Sequence, residues 1–303
     1  MMKGKARRTK NDTFIAYAML FPALLIFLCF VGGPIVTTVF GLSMTKYNLL
    51  SPPQFVFLDN FIQFFKDPMS GTIFFNTFKY VIFLVPAHMI LGLLLALLVN
   101  SEKNRFLRGF HRTMIYFPSL VTTSAVAVAF AYLFRTDFGV INYILKSLGI
   151  IQQNIPWLTS SGLSIPVILI FSLWKTVGDK FLFYLIGLQN IPTSYMEAAR
   201  IDGANAWQTF RSVTLPMLTP TIFFVMLTTT IGAVQIFDEP FIITKGGPGD
   251  SSRTIALYLY QKAFVSNDVG YASAIACMLF LIILLITIIQ LRTEKYWTNY
   301  DYE

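Results

Sequence analysis

The sequence predicts an all-α polytopic membrane protein with six transmembrane helices, and three observations carry this prediction. Hydrophobic residues make up 55% of the 303-residue chain, and the mean hydropathy is +0.63. Charged residues contribute 13%, against about 25% in ordinary soluble domains. The apolar residues are also grouped into runs long enough to cross the hydrocarbon core of a bilayer as helices.

Six runs with few or no charged residues are the predicted crossings. A helix needs about 20 residues to span the bilayer core, and each run has roughly that length or more. The fourth run is unusual because it contains Lys175, Asp179 and Lys180. The six runs comprise residues 13–40, 79–100, 113–134, 164–189, 215–237 and 271–291.

The distribution of basic residues predicts the orientation. An even number of crossings places both termini on one side, together with the segments that follow the second and fourth crossings. Lysine and arginine are more frequent on that side than on the other, so the positive-inside rule predicts that both termini are cytoplasmic. Residues 1–12 then form a basic cytoplasmic tail, and residues 293–303 form a cytoplasmic C-terminal tail. The first apolar run is too long for the core of a signal peptide and is predicted to stay as an anchor.

Several function classes find no support in the sequence. The net charge of +8 comes from small basic groups beside apolar runs, which predicts contact with membrane lipid and no nucleic-acid partner. Cys29 and Cys277 lie inside predicted crossings, without the spacing of a metal or redox site. The phosphate-binding pattern G-x-x-x-x-G-K-[ST] does not occur, and no catalytic constellation is recognisable. We therefore expect no enzymatic activity, no metal and no cofactor on this chain.

An aromatic segment follows the first crossing, within residues 13–71. Phe57, Phe61, Phe64 and Phe65 recur at helical spacing, which predicts a short helix. Such a helix could lie in the outer membrane interface or pack as a lid on the second crossing. The sequence leaves both possibilities open.

The segment 193–214 interrupts the apolar chain between the fourth and fifth crossings. Ser194 and Glu197 stand three residues apart and predict a capping box at the start of a short helix. Asp202 and Gly203 are expected to end this helix, because glycine tolerates the left-handed conformation. A second short helix is predicted from Asn205 to about residue 213, with Trp207 and Phe210 as apolar anchors.

Small residues line one side of this predicted helix-turn-helix, namely Ala198, Ala199, Gly203 and Ala204. A thin surface of this kind lets another backbone approach, so the segment could fill a groove on a partner protein. The alternative is an amphipathic elbow that rests on the inner leaflet, in which Glu197 only caps a helix. Pro216 and Pro220 follow and are expected in the opening turn of the fifth crossing or at a kink within it.

Ionisable groups inside a membrane segment are costly unless they are paired or face water, so the fourth crossing holds candidate site residues. Ser172, Lys175, Thr176 and Asp179 fall at i, i+3, i+4 and i+7, on one helical face. Lys175 and Asp179 are expected to pair along the helix. They could face a cavity for a hydroxyl-rich ligand, or form an internal salt bridge that holds two helices together.

Two further crossings contribute polar candidates to the same predicted pathway. Ser119, Thr123 and Gln235 could equally form hydrogen bonds between helices. His88 in the second crossing is expected to be an interhelical hydrogen-bond donor, since no second histidine or nearby carboxylate suggests a proton relay. The candidates are Ser119, Thr122 and Thr123 on the third crossing, and Thr228, Gly232, Gln235, Asp238 and Glu239 on or near the fifth.

The string EAARIDGANAWQTFRSVTLPMLTP, residues 197–220, resembles the EAA loop of the permease subunits of bacterial ATP-binding cassette (ABC) importers. Other strings fit the carbohydrate branch of this family, which includes permeases for maltose and glycerol phosphate. They are RGFHRTMIYFP, GLQNIP, FDEPFIITKGGP and GYASAIACMLFLIILLITIIQLR. The resemblance covers about Phe14 to Trp297. The large extracytoplasmic insertion of some maltose permeases is missing.

The resemblance implies a type I ABC importer permease fold, with residues 72–292 as its core and the coupling loop at 193–214. By position, the loop residues that contact a cytoplasmic ATPase subunit are Glu197, Ala198, Ala199, Asp202, Gly203 and Ala204. It also implies that the third, fourth and fifth crossings line a sugar cavity. The implied partners are a second, different permease subunit, an extracytoplasmic solute-binding protein, and two ATPase subunits that hold ATP and Mg.

On this interpretation, the chain lies in a bacterial cytoplasmic membrane and helps to import a sugar or oligosaccharide. An ion- or proton-coupled secondary transporter is the alternative, with Lys175, Asp179 and His88 as the relay. An integral-membrane enzyme is a weaker third possibility.

Overall fold

The computed structural model describes residues 10–33, 35–48 and 52–298, which are predominantly helical. The chain divides into two compact units. One contains the described residues up to Lys66 together with Leu259–Met278, and the other contains Asp67–Tyr258 and the described residues from Leu279 onward. Residues 1–9 of the predicted basic tail and 299–303 of the predicted C-terminal tail lie outside the described residues.

The first unit begins with a helix whose described side chains from Phe14 onward are all exposed in the isolated chain. A helix that is apolar on every side suits a lipid environment or a partner helix. This helix, α1 (Lys10–Ile26), leads into two π-helical segments, Phe27–Gly32 and Ile35–Phe40. The short elements after them are α2 (Gly41–Ser43), β1 (Thr45–Lys46), β2 (Gln54–Phe55) and α3 (Asp59–Lys66).

The two short strands form an antiparallel pair that anchors the first unit. The amide of Asn60 on α3 donates hydrogen bonds to the carbonyls of Ser43 at 2.9 Å and Thr45 at 2.8 Å. The backbone of Gly270 approaches this turn so closely that an added Cβ would lie 2.0 Å from the Thr45 carbonyl oxygen. A side chain at position 270 would therefore displace the strand.

The predicted aromatic helix is present as α3, and it carries Phe61, Phe64 and Phe65. The expectation that Phe57 belongs to it is wrong, because Phe57 lies in the preceding turn with a left-handed φ of 50°. Phe64 is buried, whereas Phe65 is exposed. Whether α3 lies in the interface or acts as a lid stays a prediction.

The second unit holds most of the helices. It includes π-helical segments at Phe210–Thr214 and Pro240–Thr244. Its helices are α4 (Pro68–Ser101), α5 (Arg105–Leu120), α6 (Thr123–Leu133), α7 (Val140–Ser147), α8 (Ser164–Gln189), α9 (Thr193–Ile201), α10 (Ala206–Thr209), α11 (Leu215–Met217) and α12 (Thr219–Val234). Two helices, α13 (Ile255–Tyr260) and α14 (Val269–Glu294), have residues in both units and are joined by a π-helical segment at Gln261–Val265.

Helix α8 is the centre of the second unit and packs against α4, α5 and α12. Its large side chains Phe171, Phe181 and Tyr184 are almost completely buried. Small residues let the neighbouring helices approach closely. A Cβ added to Gly178 would lie 2.7 Å from the Ile115 carbonyl oxygen on α5, and one added to Gly92 on α4 would lie 3.1 Å from Cβ of Lys180.

The apolar helices agree in part with the predicted crossings. Among the described residues, three helices are long and apolar enough to cross a membrane, namely Phe14–Ser43, Pro68–Ser101 and Val269–Glu294. The number rises to as many as five if each of two bent helix pairs counts as one crossing. Helix α8 spans the predicted fourth crossing. It is not among the helices counted here, because Lys175, Asp179 and Lys180 lie near its middle and make it too highly charged. The count of six crossings stays a prediction.

The predicted third crossing at 113–134 is not a single continuous helix, because α5 and α6 meet at an angle of 93°. Val121 and Thr122 between them have extended backbone, with ψ angles of 147° and 125°. β-Branched residues favour such extended conformations. Pro118 also removes one backbone donor from the last turn of α5.

The predicted proline kink at the start of the fifth crossing is confirmed. The helical segment Ala206–Met217 and α12 are bent by 62°, with Leu218 at the break between Pro216 and Pro220. Helix α12 ends at Val234, before the predicted limit at residue 237, and Gln235 occupies its C-cap.

Candidate functional site

The helical hairpin at 193–214 is closed by a glycine turn, as predicted. Gly203 has a φ of 78° and follows the C-cap residue Asp202. The Gly203 N–H donates to the Arg200 carbonyl at 3.1 Å, and the Ala204 N–H donates to the Ala199 carbonyl at 2.9 Å. These two bonds define a Schellman motif, which satisfies the last carbonyls of α9 and fixes the direction of the chain.

The predicted capping box at Ser194 and Glu197 is wrong. Helix α9 already begins at Thr193, and its N-cap position is Pro192, which makes no side-chain capping bond. The ring of Pro192 holds φ near −61° and sets the entry into the helix two residues earlier than expected. Ser194 therefore lies inside the first turn.

A capping box does occur, at the start of the second helix of the hairpin. The Asn205 Oδ1 atom accepts from the Gln208 N–H at 2.9 Å, and the Gln208 Oε1 atom accepts from the Asn205 N–H at 2.8 Å. The pattern Asn-x-x-Gln in the sequence could have revealed it. Both helices of the hairpin are thus fixed at the ends that meet in the turn.

The outer surface of the hairpin is exposed in this chain. Four of the six predicted contact residues, Glu197, Ala198, Asp202 and Gly203, are exposed, and Ala199 and Ala204 are half-buried. Beside them, the Ile201 side chain is 86% exposed and Trp207 is 66% exposed. The Trp207 ring stacks on Phe210 with 5.6 Å between ring centroids. No sequence pattern singled out Ile201, which is the most exposed apolar side chain of the hairpin.

Inside the hairpin, α9 contacts the segment that leads into α12. The Thr214 hydroxyl lies 4.0 Å from the Sδ atom of Met196 on α9 and is oriented to donate to it. Thr214 is buried. This contact joins α9 to the chain just before the 62° bend.

The polar face of α8 forms a second candidate site. The Ser119 hydroxyl donates to the Lys175 carbonyl at 3.0 Å, and the Lys175 ammonium donates to the Ser119 carbonyl at 3.1 Å. Lys175 is only 5% exposed. These bonds connect the end of α5 to the middle of α8.

The expected pairing of Lys175 with Asp179 is wrong. Within the part of the chain that the structure describes, no ion pair joins these two side chains, and Asp179 is only half-buried. Ser119 lies in the last turn of α5, where carbonyl oxygens have no partner within the helix. Its carbonyl therefore offers the lysine a nearby acceptor, and an internal salt bridge is not what holds these helices together.

Hydrogen bonds also link α8 to α4 and to the residues after α12. His88 Nδ1 lies 2.8 Å from the Leu84 carbonyl, and Nε2 lies 2.7 Å from the Thr176 hydroxyl. Because a carbonyl can only accept, we assign the proton to Nδ1, and Nε2 of the neutral ring accepts from Thr176. The Ser172 hydroxyl donates to Glu239 Oε1 at 3.1 Å. The predicted interhelical hydrogen bond of His88 is present, but His88 accepts it, and the bond that His88 donates stays within α4.

A cavity of about 110 Å³ lies between α4, α8 and α12. This volume suits a few water molecules and is too small for a sugar. The buried Thr229 hydroxyl at this cavity has no hydrogen-bond partner among the described residues. The polar groups around the cavity belong to His88, Ser172, Thr176, Lys180, Thr228 and Thr229, and Gly232 opens its wall.

The structure brings together only some of the predicted pathway residues. Ser172, Thr176 and Gly232 line the cavity, and Ser119 and Lys175 bind each other nearby. Thr123 begins α6 and is half-buried. Gln235 and Asp238, beyond the end of α12, are exposed.

A model of one transporter family matches residues 88–296, more than half of the chain. It describes the inner membrane component of binding-protein-dependent transport systems. The chain belongs to this family. It is therefore a multi-pass component of an inner membrane and a permease of the ABC transporter class.

Individual relatives of this permease extend the match over nearly the whole chain. The probable ABC transporter permease protein YesP of Bacillus subtilis (strain 168) is 38% identical over 301 residues, covering 98% of this chain and 96% of the relative. The lactose transport system permease protein LacF of Rhizobium radiobacter is 35% identical over 239 residues, covering 78% and 80%.

A solved structure supports the permease fold. It is a bacterial alginate ABC transporter in complex with a periplasmic protein that binds an alginate pentasaccharide. The matched chain superimposes with a TM-score of 0.81 at 21% identity, covering 95% of this chain and 96% of the other. The predicted ABC importer permease fold is confirmed.

Proposed function

We propose that this permease imports a sugar or oligosaccharide in an ATP-driven complex. A solute-binding protein delivers the sugar outside the membrane, and a second permease subunit encloses it together with this chain. Two cytoplasmic ATPase subunits hold ATP and Mg and hydrolyse the ATP. Family membership and the likeness to LacF, a lactose transport system permease, support a sugar as the substrate. The same membership does not favour an ion-coupled carrier.

The main support for a coupling role is the hairpin at 193–214, which is exposed and capped at both helix ends that meet in its turn. The Schellman motif after α9 and the capping box before α10 hold the two helices in one arrangement. A rigid element transmits the displacement of a partner without bending. We infer that this hairpin inserts into the ATPase subunit and moves α12 through the segment that begins at Ala206.

Each residue group in the hairpin has a distinct part in this proposal. Ala198, Ala199, Gly203 and Ala204 keep the surface thin, so that the ATPase backbone can approach. Ile201 supplies an apolar contact. Glu197 forms no hydrogen bond or ion pair with the described residues, so its carboxylate is available to a basic residue of the ATPase, and we propose the same availability for Asp202.

For the sugar, we propose a pathway along the polar face of α8 that the second permease completes. Ser172, Thr176 and Gly232 face the small cavity from this chain. Gln235 and Asp238 contribute from the residues beyond α12, and Thr123 from the start of α6. Ser119 and Lys175 hold α5 against α8, and Asp179 adds a carboxylate to this face. Both termini are proposed to be cytoplasmic, with residues 72–292 as the transport core.

Cysteine cross-linking in the assembled complex tests the docking. The chain has two cysteines, Cys29 and Cys277, and both are replaced by alanine to give a clean background. Ile201→Cys is then paired with single cysteines in the ATPase subunit. Ile150→Cys is the matched control, because Ile150 is also largely exposed, at 64%, but lies far from the hairpin in the sequence.

We expect Ile201→Cys to cross-link to the ATPase subunit and Ile150→Cys to remain unlinked. The yield at Ile201 should change when ATP is added, because the ATPase subunits close around the nucleotide. A cross-link from Ile150 alone, or labelling of Ile201 by a reagent that cannot cross the membrane of intact cells, would overturn the docking.

A further inference from the structure

A second, larger cavity lies in the same unit, away from the hairpin. It has a volume of about 430 Å³, within the usual range for small-molecule sites of roughly 300–1,000 Å³. Its walls are the end of α6 and the loop after it, Leu158 and Thr159 before α8, and the Pro240–Thr244 segment with Lys245. The groups able to bind a ligand belong to Tyr132, Arg135, Thr136, Asp137, Thr159 and Lys245; the rest of the lining is aliphatic.

Arg135, Asp137 and Lys245 carry the charges around this cavity. Arg135, Asp137 and Lys245 form no ion pair with one another or with any other described residue. The Arg135 guanidinium lies over the Phe138 ring, 4.7 Å from its centroid. Stacking of this kind uses the face of the guanidinium and leaves its N–H edge available. Two cations and one carboxylate leave the cavity with an excess positive charge.

The wall that carries Thr136 and Asp137 is fixed before any ligand arrives. Asn142 on α7 is 2% exposed and donates to the carbonyls of Thr136 at 3.3 Å and Ile155 at 3.0 Å. It also accepts from the Trp157 indole N–H at 2.9 Å. Asn154 donates to the same Thr136 carbonyl at 2.8 Å. A preformed wall reduces the entropy that a ligand must lose on binding.

We propose that this cavity binds a sugar unit that carries a carboxylate, and hence that the transported oligosaccharide is acidic. The inference rests on the proposed function. The planar Arg135 fork binds the carboxylate through two N–H donors, and Lys245 adds a second charge. Asp137 and the threonine hydroxyls bind the hydroxyls of the sugar ring, and Tyr132 contacts its apolar face.

A neutral sugar matches this set of groups less well. Arg135, Asp137 and Lys245 are exposed in the isolated chain. A neutral sugar would leave the excess positive charge of these residues without a counter-charge, whereas a uronate neutralises it. Charge-assisted hydrogen bonds are roughly twice as strong as neutral ones. The preference should weaken as salt screens these exposed charges.

Direct binding to the whole importer tests the inference. The complete complex is placed in lipid nanodiscs without its binding protein, so that the specificity of that protein does not enter. Calorimetry then compares digalacturonate with the neutral digalactoside of the same linkage. We expect digalacturonate to bind at least ~10-fold more tightly, with Arg135→Gln removing this difference and Arg135→Lys keeping part of it. Lys146→Gln is the control, because Lys146 is a cation on α7 that does not line this cavity.

Four results would overturn the inference: equal affinities for the two sugars, no binding of either, no effect of Arg135→Gln, or displacement of digalacturonate by inorganic phosphate at equal concentration. A loss of affinity for the binding protein alone in Arg135→Gln would assign the charges to protein docking and also overturn it. In each of these five cases, the proposed function still holds if a sugar-loaded binding protein stimulates ATP hydrolysis by the complex. If no sugar does so, the proposed function itself fails.

Discussion

Ser119 and Lys175 bind each other twice: the serine hydroxyl donates to the lysine carbonyl at 3.0 Å, and the lysine ammonium donates to the serine carbonyl at 3.1 Å. The pair closes the contact between α5 and α8 at the point where Gly178 lets the two helices approach. A buried ammonium is tolerated here because its charge meets an unpaired carbonyl at the end of a helix.

Replacing Gly178 with alanine should break this contact. The new Cβ would lie 2.7 Å from the Ile115 carbonyl oxygen and 2.8 Å from the Ser119 Oγ atom, so α5 must move away from α8. Overpacking of this kind costs about 1–3 kcal/mol, and we expect a lower midpoint of thermal unfolding for the purified chain in detergent.

Gly71→Ala is the control for Gly178→Ala. Gly71 also lies inside a long helix, but a Cβ there would have nothing within 4 Å. Its midpoint should stay unchanged or rise, because alanine is the better helix former. Equal behaviour of the two variants would show that α5 and α8 do not depend on this close approach.

Charge reversal at Glu197 should separate coupling from stability. The carboxylate has no partner within the described residues, so Glu197→Arg should leave the unfolding midpoint of this chain unchanged. We expect sugar uptake and the stimulation of ATP hydrolysis by the loaded binding protein to fall at least ~10-fold, as for a buried charge pair that loses one member. Both are measured in the reconstituted complex.

Glu197→Gln is the conservative comparison, since it keeps the shape of the side chain and removes only the charge. It should fall between the native protein and Glu197→Arg. Normal uptake by both variants would contradict a charge contact between Glu197 and the ATPase.

The two candidate capping positions of the hairpin give opposite expectations. Asn205→Ala removes the acceptor for the Gln208 N–H, and the loss of an N-cap costs typically ~1 kcal/mol. Hydrogen exchange of the amides in α10 should accelerate about fivefold, the factor that corresponds to this energy. Ser194→Ala should leave α9 unchanged, because Ser194 makes no cap. Faster exchange in α9 of Ser194→Ala would restore the capping box that the sequence suggested.

Local sequence patterns predicted the structure correctly where interactions between neighbouring residues determine it. The bounds of α8 follow from an apolar run that loops flank on both sides, and the turn at Gly203 follows from the left-handed conformation that glycine allows. Likewise, Pro216 and Pro220 marked the bend before α12. These features involve residues that are neighbours in the chain.

Features that depend on distant residues could not be obtained in this way. Helical spacing placed Lys175 beside Asp179, but the acceptor that the lysine uses belongs to Ser119, 56 residues earlier. The break at Val121 and Thr122 had only a weak local signal, because apolar β-branched residues also occur within membrane helices. The cavity around Arg135 brings together three segments, and no one of them has a recognisable motif.

Substitution of Gly203 should separate backbone strain from the proposed contact. A Cβ on Gly203 would have nothing within 4 Å in this chain, but its φ of 78° disfavours any residue with a side chain, by roughly 1–2 kcal/mol. Gly149 offers a matched control, with a φ of 69° and equally open surroundings. Gly203→Ala and Gly149→Ala should therefore lower the unfolding midpoint by similar amounts. Only Gly203→Ala should also lower the coupling of ATP hydrolysis to uptake, because only there does the new methyl group enter the proposed ATPase groove. If the two variants lose uptake equally, strain alone explains the effect and the contact at Gly203 is wrong.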